Sequence, residues 1–131
     1  MYRTIKRMLF LSLLFCTLLL GSSRSASAQT AKPVLAALNK AENTLALIDP
    51  VSMKLITKIA IGDGPHEVVI STDGKTAFVA NYGAQTPGNS ISVIDIATAK
   101  ETRRVDVSPL MRPHGLQFVG GKLYFTSETN R

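Results

Sequence analysis

The sequence has few cysteines, which could form disulfides, and few aromatic residues, which could fill the core of a small domain. Its 131 residues include one cysteine, no tryptophan and only 6% aromatic residues. The single cysteine, Cys16, lies in an N-terminal apolar segment, so the rest of the chain has no thiol with which to form a disulfide. That remainder must therefore be held together by packing alone, which is difficult for a domain of about 100 residues.

The sequence also lacks the short motifs that mark common catalytic and cofactor sites. It has no Gly-x-Ser-x-Gly nucleophile elbow, no phosphate-binding Gly-x-x-x-x-Gly-Lys loop, no Cys-x-x-Cys-His haem attachment and no His-Glu-x-x-His zinc motif. These absences disfavour several enzyme classes. They do not bear on an active site whose residues are scattered over many repeats.

The N-terminus is typical of an export signal. Basic residues precede an apolar run at 8–20, and Ala26-Ser27-Ala28 fits an A-x-A cleavage site. The run has 13 residues, fewer than the roughly 20 that a membrane-spanning helix needs. We expect 1–28 to be a cleaved signal peptide and 29–33 a short tether, with the protein exported to the periplasm, the medium or the cell surface. The alternative is an uncleaved anchor.

Removal of this segment changes the net charge. It holds four basic residues and no acidic ones, so the formal charge of +6 falls to +2, from 11 basic and 9 acidic residues. So small an excess disfavours a nucleic-acid partner. We expect membrane contact only through the transient signal, because the apolar residues that continue beyond Cys16 disfavour a lipid anchor there.

The rest of the chain is a tandem repeat. Thr-Leu-Ala-Leu-Ile-Asp at 44–49 returns as Ser-Ile-Ser-Val-Ile-Asp at 90–95, an offset of 46, and Pro65-His66 returns as Pro113-His114, an offset of 48. A period of this size, filled with short alternating strands and turn residues, indicates a β-propeller blade. A propeller closes as a ring of roughly 4–8 blades, and this chain has material for about two. We therefore expect an all-β fold in which 34–131 is an incomplete, N-terminal part of a propeller.

Turn signals divide the repeat into strands. We expect the second, third and fourth strands of one blade, then a full blade, then the first two strands of the next. The very apolar Glu67–Ile70 is predicted to be an innermost strand buried on both faces. The segment 82–89 is predicted to be a loop. No helix is expected after the signal.

Several of these motifs resemble one repeat family. Gly64-Pro65-His66, the Ser-Thr-Asp-Gly-Lys turn at 71–75 and Phe78-Val79-Ala80-Asn81 occur in the order of YVTN β-propeller repeats. The tetrapeptide stands where that family has Tyr-Val-Thr-Asn, and the resemblance covers about 34–130. It implies similarity to seven-bladed exported propellers such as the YncE-like group; related propellers include lactonases and the haem-d1 domain of nitrite reductases. Glu67 stands where the second copy of the repeat has Gly115, and we interpret this difference as sequence drift within a structural repeat.

His66 and His114 are the only histidines, and they occupy equivalent places where inner strands begin. Such positions approach one mouth of the axial channel, where imidazoles from adjacent blades could share a metal or haem. The favoured alternative is structural, with each ring bonded to backbone groups around its turn. Two histidines without a fixed carboxylate pattern are a weak metal signal, so no cofactor is predicted.

The charged residues are expected to be structural or solvated. Asp49 and Asp95 end equivalent strands and Asp73 lies in a hairpin turn, positions where an aspartate accepts backbone N–H bonds. Four basic residues on outer-strand segments are expected to form a solvated face: Lys54, Lys58, Arg103 and Arg104.

The expected function is an exported, non-catalytic scaffold that binds an unknown protein or small molecule at the propeller mouth. The alternatives are a lactonase-like hydrolase or a metal- or haem-dependent oxidoreductase with its site at the channel mouth, and a cell-surface adhesion protein. Because missing strands leave sheet edges unpaired, residues 29–131 alone are expected to aggregate, oligomerise or remain partly unfolded.

Overall fold

The structure is a computed structural model that describes residues 32–129. The expected signal peptide and residues 29–31 of the expected tether lie outside these residues. The described part consists of nine β-strands: β1 (Leu35–Asn39), β2 (Thr44–Ile48), β3 (Leu55–Ala60), β4 (Pro65–Ile70), β5 (Thr76–Gly83), β6 (Pro87–Asp95), β7 (Lys100–Asp106), β8 (Met111–Val119) and β9 (Lys122–Thr129). Between residues 32 and 129 there is consequently no helix suited to crossing a lipid bilayer.

The strands form three antiparallel sheets in the predicted order. The first sheet is β1-β2-β3, the second is β4-β5-β6-β7, and the third is β8-β9. Each sheet is a meander, because consecutive strands are neighbours throughout. The expected all-β fold is confirmed, as is its division into three strands of one blade, one complete blade and the first two strands of another.

The predicted loop at 82–89 is wrong in its extent. β5 and β6 pair as far as Gly83 and Pro87, so that only residues 84–86 connect them. The tight connection requires glycine: Gly83 has a φ of +86°, and a Cβ there would lie 2.2 Å from the Thr86 carbonyl oxygen. The pattern of polar and turn residues did not reveal that the ladder continues past the bulge that follows Asn81.

The prediction that β4 is buried on both faces is also wrong for the described residues. β4 is an edge strand that pairs with β5 alone. Val68 and Val69 are half-buried, and Ile70 is 37% exposed. The apolar run is nevertheless on the strand expected to be innermost, since β4 begins the four-stranded sheet.

The hydrophobic core is shared by the first and second sheets. Alternation along β2 buries Leu45 and Leu47, which join buried side chains of both sheets in one cluster. The other members are Ile59, Ile61, Ala77, Val79 and Ile94. Burying a side chain such as leucine contributes about 1.5–3 kcal/mol, so the contact between sheets is a principal source of stability.

Asn81, the last residue of the repeat tetrapeptide, links two strands from within the protein. It is 1% exposed, and its Nδ2 donates to the hydroxyls of Ser90 (3.0 Å) and Ser92 (2.9 Å) on β6. Gly62, in the connection between β3 and β4, lies directly against this amide. A Cβ on Gly62 would come within 2.2 Å of Asn81 Cγ. The asparagine is thus a buried clamp that needs a glycine beside it.

The turn aspartates have the structural role that the repeat favours. Asp49 Oδ1 accepts the backbone N–H groups of Val51 (2.8 Å) and Ser52 (3.0 Å). Asp95 Oδ1 accepts hydrogen bonds from the Thr98 backbone N–H (2.7 Å) and from the Thr98 hydroxyl (2.9 Å). Backbone hydrogen bonds, the largest cause in both cases, lower the pKa of each carboxyl group. Asp73 Oδ1 accepts the Ser71 hydroxyl and the Lys75 N–H, which likewise lower the pKa of Asp73.

The basic residues of the outer strands are exposed, as expected: Lys54, Lys58, Arg103 and Arg104. Lys58 Nζ lies 2.6 Å from Glu42 Oε2, and Arg104 makes two bonds to Glu101 at 2.7 and 2.8 Å. Exposed pairs of this kind add little stability, about 0–1 kcal/mol each.

Candidate functional site

Four connections lie at the same end of the sheets and define one surface, called here the mouth face. They join β1 to β2, β3 to β4, β5 to β6 and β7 to β8. The first three are bonded to one another: Gly64 N–H donates to Asn43 Oδ1 (2.9 Å), and Gly83 N–H donates to the Asp63 carbonyl (3.0 Å). Side chains at the ends of β1, β5 and β9, and at the starts of β4 and β8, therefore project near this face.

Tyr82, near the end of β5, is the centre of a side-chain cluster on the mouth face. The His66 ring of β4 lies with its centroid 4.9 Å from that of Tyr82, in a tilted arrangement. The His114 ring of β8 lies 6.1 Å away, edge to face. The two histidines singled out by the repeat are thus brought to a common neighbour, a tyrosine that the repeat did not indicate.

Two cations also lie over the Tyr82 ring. Lys40 Nζ is 5.1 Å and Arg112 Cζ is 4.7 Å from the ring centroid. Cation–π contacts at exposed sites contribute about 0.5–1 kcal/mol. Within residues 32–129, no carboxylate oxygen lies within 4.0 Å of either cation.

A carboxylate completes the cluster from β9. The Tyr82 hydroxyl donates a hydrogen bond to Glu128 Oε2, and His114 Nε2 lies 3.9 Å from Glu128 Oε1. The other nitrogen of that ring, Nδ1, is 3.2 Å from the Arg112 carbonyl oxygen. The bond to Glu128 is the largest cause that raises the pKa of Tyr82, because ionisation would lose it and set two negative charges side by side; Arg112 opposes this weakly.

Three residues of the cluster occupy the same position in successive repeats. Lys40, Tyr82 and Glu128 each follow the residue that ends the second-strand motif of their blade, namely Asn39, Asn81 and Ser127. One repeat position thus supplies a cation, an aromatic ring and a carboxylate in successive blades, and adjacent members are in contact. The equivalence of Asn81 and Ser127 was visible in the sequence and locates this repeat position, but the three residues there differ in type and the sequence did not show that they meet.

Arg112 occupies a backbone position where the preceding repeat has glycine. Gly64 and Arg112 both adopt the left-handed conformation, with φ of +56° and +52°. A residue with a side chain pays roughly 1–2 kcal/mol to do so. Strained residues of this kind occur frequently at ligand sites. Asn43, Met53 and Ala99 adopt the same conformation, and of these four residues Arg112 is the one whose side chain lies over the Tyr82 ring.

Glu67 has a structural role that the interpretation as drift missed. Its Oε2 accepts the backbone N–H of Leu116 at 2.8 Å, which joins β4 of the second sheet to β8 of the third. That N–H lies at the register shift between His114 and Gln117, where the ladder to β9 is interrupted. Glu67 therefore satisfies a donor that the bulge leaves free.

His66 and His114 are the candidate metal or haem ligands that the sequence suggested. Among residues 32–129, no group of three or more histidine, cysteine, aspartate or glutamate side chains is arranged to hold a metal ion. Both nitrogens of His114 face protein atoms, and His66 is exposed. A ligand role for His66 and His114 stays a prediction.

Comparison with known proteins bears on the architecture. Residues 10–131 match the family model described as YNCE-like beta-propeller. The structure of hydrazine synthase from Kuenenia stuttgartiensis is similar, with 33% identity and a TM-score of 0.53 over 57% of this chain and 21% of that one. The dihydro-heme d1 dehydrogenase NirN in complex with DHE is similar in fold, with 20% identity and a TM-score of 0.57 over 65% of this chain and 18% of that one. No curated protein matches. The chain spans about a fifth of the length of each of these two structures.

Proposed function

Since the chain belongs to the YncE-like β-propeller family, we propose that it is an exported, non-catalytic scaffold that binds a protein or small-molecule ligand at its mouth face. The observation that carries the proposal is the convergence on Tyr82 of side chains from three sheets. Ligand sites concentrate on connections that a rigid scaffold holds in place.

The chemistry of the cluster suits binding. Tyr82, His114 and Arg112 are half-buried, while Lys40 and His66 are exposed, so their rings and charges are within reach of a ligand. Tyrosine and arginine are among the residues that dominate binding energy at interfaces, because they combine a large apolar area with a polar end. Packing around Tyr82 orients these groups before a ligand arrives, which lowers the entropic cost of binding.

A second candidate is a metal- or haem-dependent oxidoreductase. Two observations favour it: both similar structures carry the names of enzymes, and the two histidines lie at the same face. In such a protein His66 would be the more available ligand, since it is exposed and His114 has protein partners on both nitrogens.

The experiment that separates these candidates uses the whole protein. A panel of small molecules is screened by thermal shift against the wild type, Tyr82→Ala and the control Tyr124→Ala, which removes a 53% exposed tyrosine near the start of β9, at the opposite end of the sheets. Compounds that raise the melting temperature of the wild type and of Tyr124→Ala should fail to stabilise Tyr82→Ala. Equal stabilisation of all three proteins would place binding elsewhere and refute the mouth-face site.

Metal and haem content are measured in the same preparations. The scaffold proposal expects no stoichiometric metal or haem. Stoichiometric metal or haem that is lost in His66→Ala would overturn it in favour of the oxidoreductase.

A further inference from the structure

We infer that the mouth face binds an anionic ligand, held through a carboxylate or phosphate group by Arg112 and Lys40 beside Tyr82. The inference deepens the proposed function and rests on it. Two cations lie over the Tyr82 ring, and within the described part of the chain neither has a carboxylate partner.

The carboxylates of the mouth face, by contrast, are already bonded. Glu128 accepts from the Tyr82 hydroxyl. Asp63 accepts from Asn43 Nδ2 and from the Ala84 backbone N–H, both at 3.1 Å. Glu67 accepts the backbone N–H of Leu116. Oxygens of these carboxylates are thus occupied by donors within the protein, whereas neither Lys40 nor Arg112 has a carboxylate partner among the described residues, and an external anion could supply one.

Arg112 supplies the second, independent observation. The backbone conformation at this position needs only glycine, as Gly64 shows in the preceding repeat. An arginine there adds strain, and its side chain makes no salt bridge within residues 32–129 that would offset it. Its position over the Tyr82 ring instead limits the orientation of the guanidinium. A guanidinium can bind a carboxylate or phosphate through two parallel N–H bonds.

The rest of the cluster fits the same ligand. Lys40 adds a mobile point charge on the β1–β2 turn. His66 is exposed and offers a ring face or an N–H to the remainder of the ligand. The inferred site therefore combines the Arg112 guanidinium, the Lys40 ammonium on its flexible side chain and the Tyr82 ring, each from a different sheet.

The test is calorimetric titration of the whole protein with succinate and with inorganic phosphate. Succinamide, which has the shape of succinate without its charge, is the neutral control. Arg112→Gly is the main variant, because glycine is the residue that this φ favours and the fold is expected to tolerate it. Lys54→Gln is the matched control, since it removes one positive charge from an exposed position outside the mouth face.

We expect succinate or phosphate to bind the wild type and Lys54→Gln alike, and to bind Arg112→Gly at least about tenfold more weakly, the loss typical of a charge-assisted bond. Lys40→Gln should weaken binding in the same direction by a smaller factor. Binding of succinate alone identifies a carboxylate site, and binding of phosphate alone a phosphate site. Equal affinity of Arg112→Gly and the wild type, or no binding of either anion to the wild type, overturns the inference.

Failure here is distinguishable from failure of the proposed function. If neither anion binds but a neutral compound stabilises the wild type and not Tyr82→Ala, the mouth-face site stands and its anionic character is refuted. If every stabilising compound acts equally on Tyr82→Ala, the site itself is refuted.

Discussion

Replacement of Gly62 by alanine tests the buried clamp formed by Asn81. The three atoms nearest to a new Cβ all belong to the Asn81 side chain, at 2.2, 2.3 and 2.7 Å. Ordinary van der Waals contact begins at 3.4 Å, so the amide carbon would have to retreat by about 1.2 Å. Gly62 does not adopt a left-handed conformation, so the backbone itself accepts alanine.

The expected cost follows from what this retreat breaks. The amide donates to the hydroxyls of Ser90 and Ser92 at 3.0 and 2.9 Å, and a shift of that size separates it from both. Overpacking alone costs about 1–3 kcal/mol. Each lost hydrogen bond adds about 1 kcal/mol. We therefore expect Gly62→Ala to lower the free energy of unfolding by about 3–5 kcal/mol.

A double-mutant cycle in urea measures whether the clash is the cause. Asn81→Ala removes the amide that a Cβ at Gly62 would strike, at the cost of the same two hydrogen bonds. Adding Gly62→Ala to that variant should then cost less than about 1 kcal/mol, giving a coupling energy of at least about 2 kcal/mol. Additive costs would refute the reasoning, because they would mean that alanine disturbs something other than Asn81.

Three further perturbations test other contacts. Glu67→Ala should lower the free energy of unfolding by about 1–3 kcal/mol because it leaves the Leu116 N–H unbonded, whereas Glu67→Gln, which keeps an acceptor, should retain most of that stability; equal loss in both variants would contradict this. Because hydrogen bonds lower the folded-state pKa of the turn aspartates, the stability that they add is present above about pH 4 and is lost as the pH falls through their lowered pKa values. Asp95→Asn should make urea stability less dependent on pH over this acid range, and an unchanged profile would contradict the assignment. Glu128→Gln should lower the pKa of Tyr82 in an ultraviolet absorbance titration, since the carboxylate is the main cause of its rise, and no shift would contradict the bond between them.

The repeat pattern predicted most of the fold. The spacing of equivalent strands and turns located the strands within blades, because each turn is formed by residues with a local reason to turn, such as Asp49 and Gly74. What it missed depends on neighbours. The continuation of β5 to Gly83 depends on a ladder with β6, and the exposure of Ile70 depends on β4 lying at a sheet edge.

The candidate site was predicted only in part, for a related physical reason. Repetition drew attention to His66 and His114, which are alike in both copies. Tyr82, Lys40 and Glu128 differ in type at one repeat position, and sequence similarity cannot mark residues whose importance lies in their difference. Their contacts appear only when successive blades are placed side by side.

The position shared by Lys40, Tyr82 and Glu128 lies next to the residues that hold the sheets together. Ligand contact and sheet stability therefore depend on different residues. Asn81 and Ser127, which precede two of these residues, hydrogen-bond to neighbouring strands and hold the sheet together. The residues that follow them lie at the rim, the outer edge of the mouth face, and do not make these bonds. A mutation at this one place can therefore rewrite the chemistry of one sector of the rim and leave the blade beneath intact. A family of such rings can acquire new ligands sector by sector, without having to reinvent its architecture.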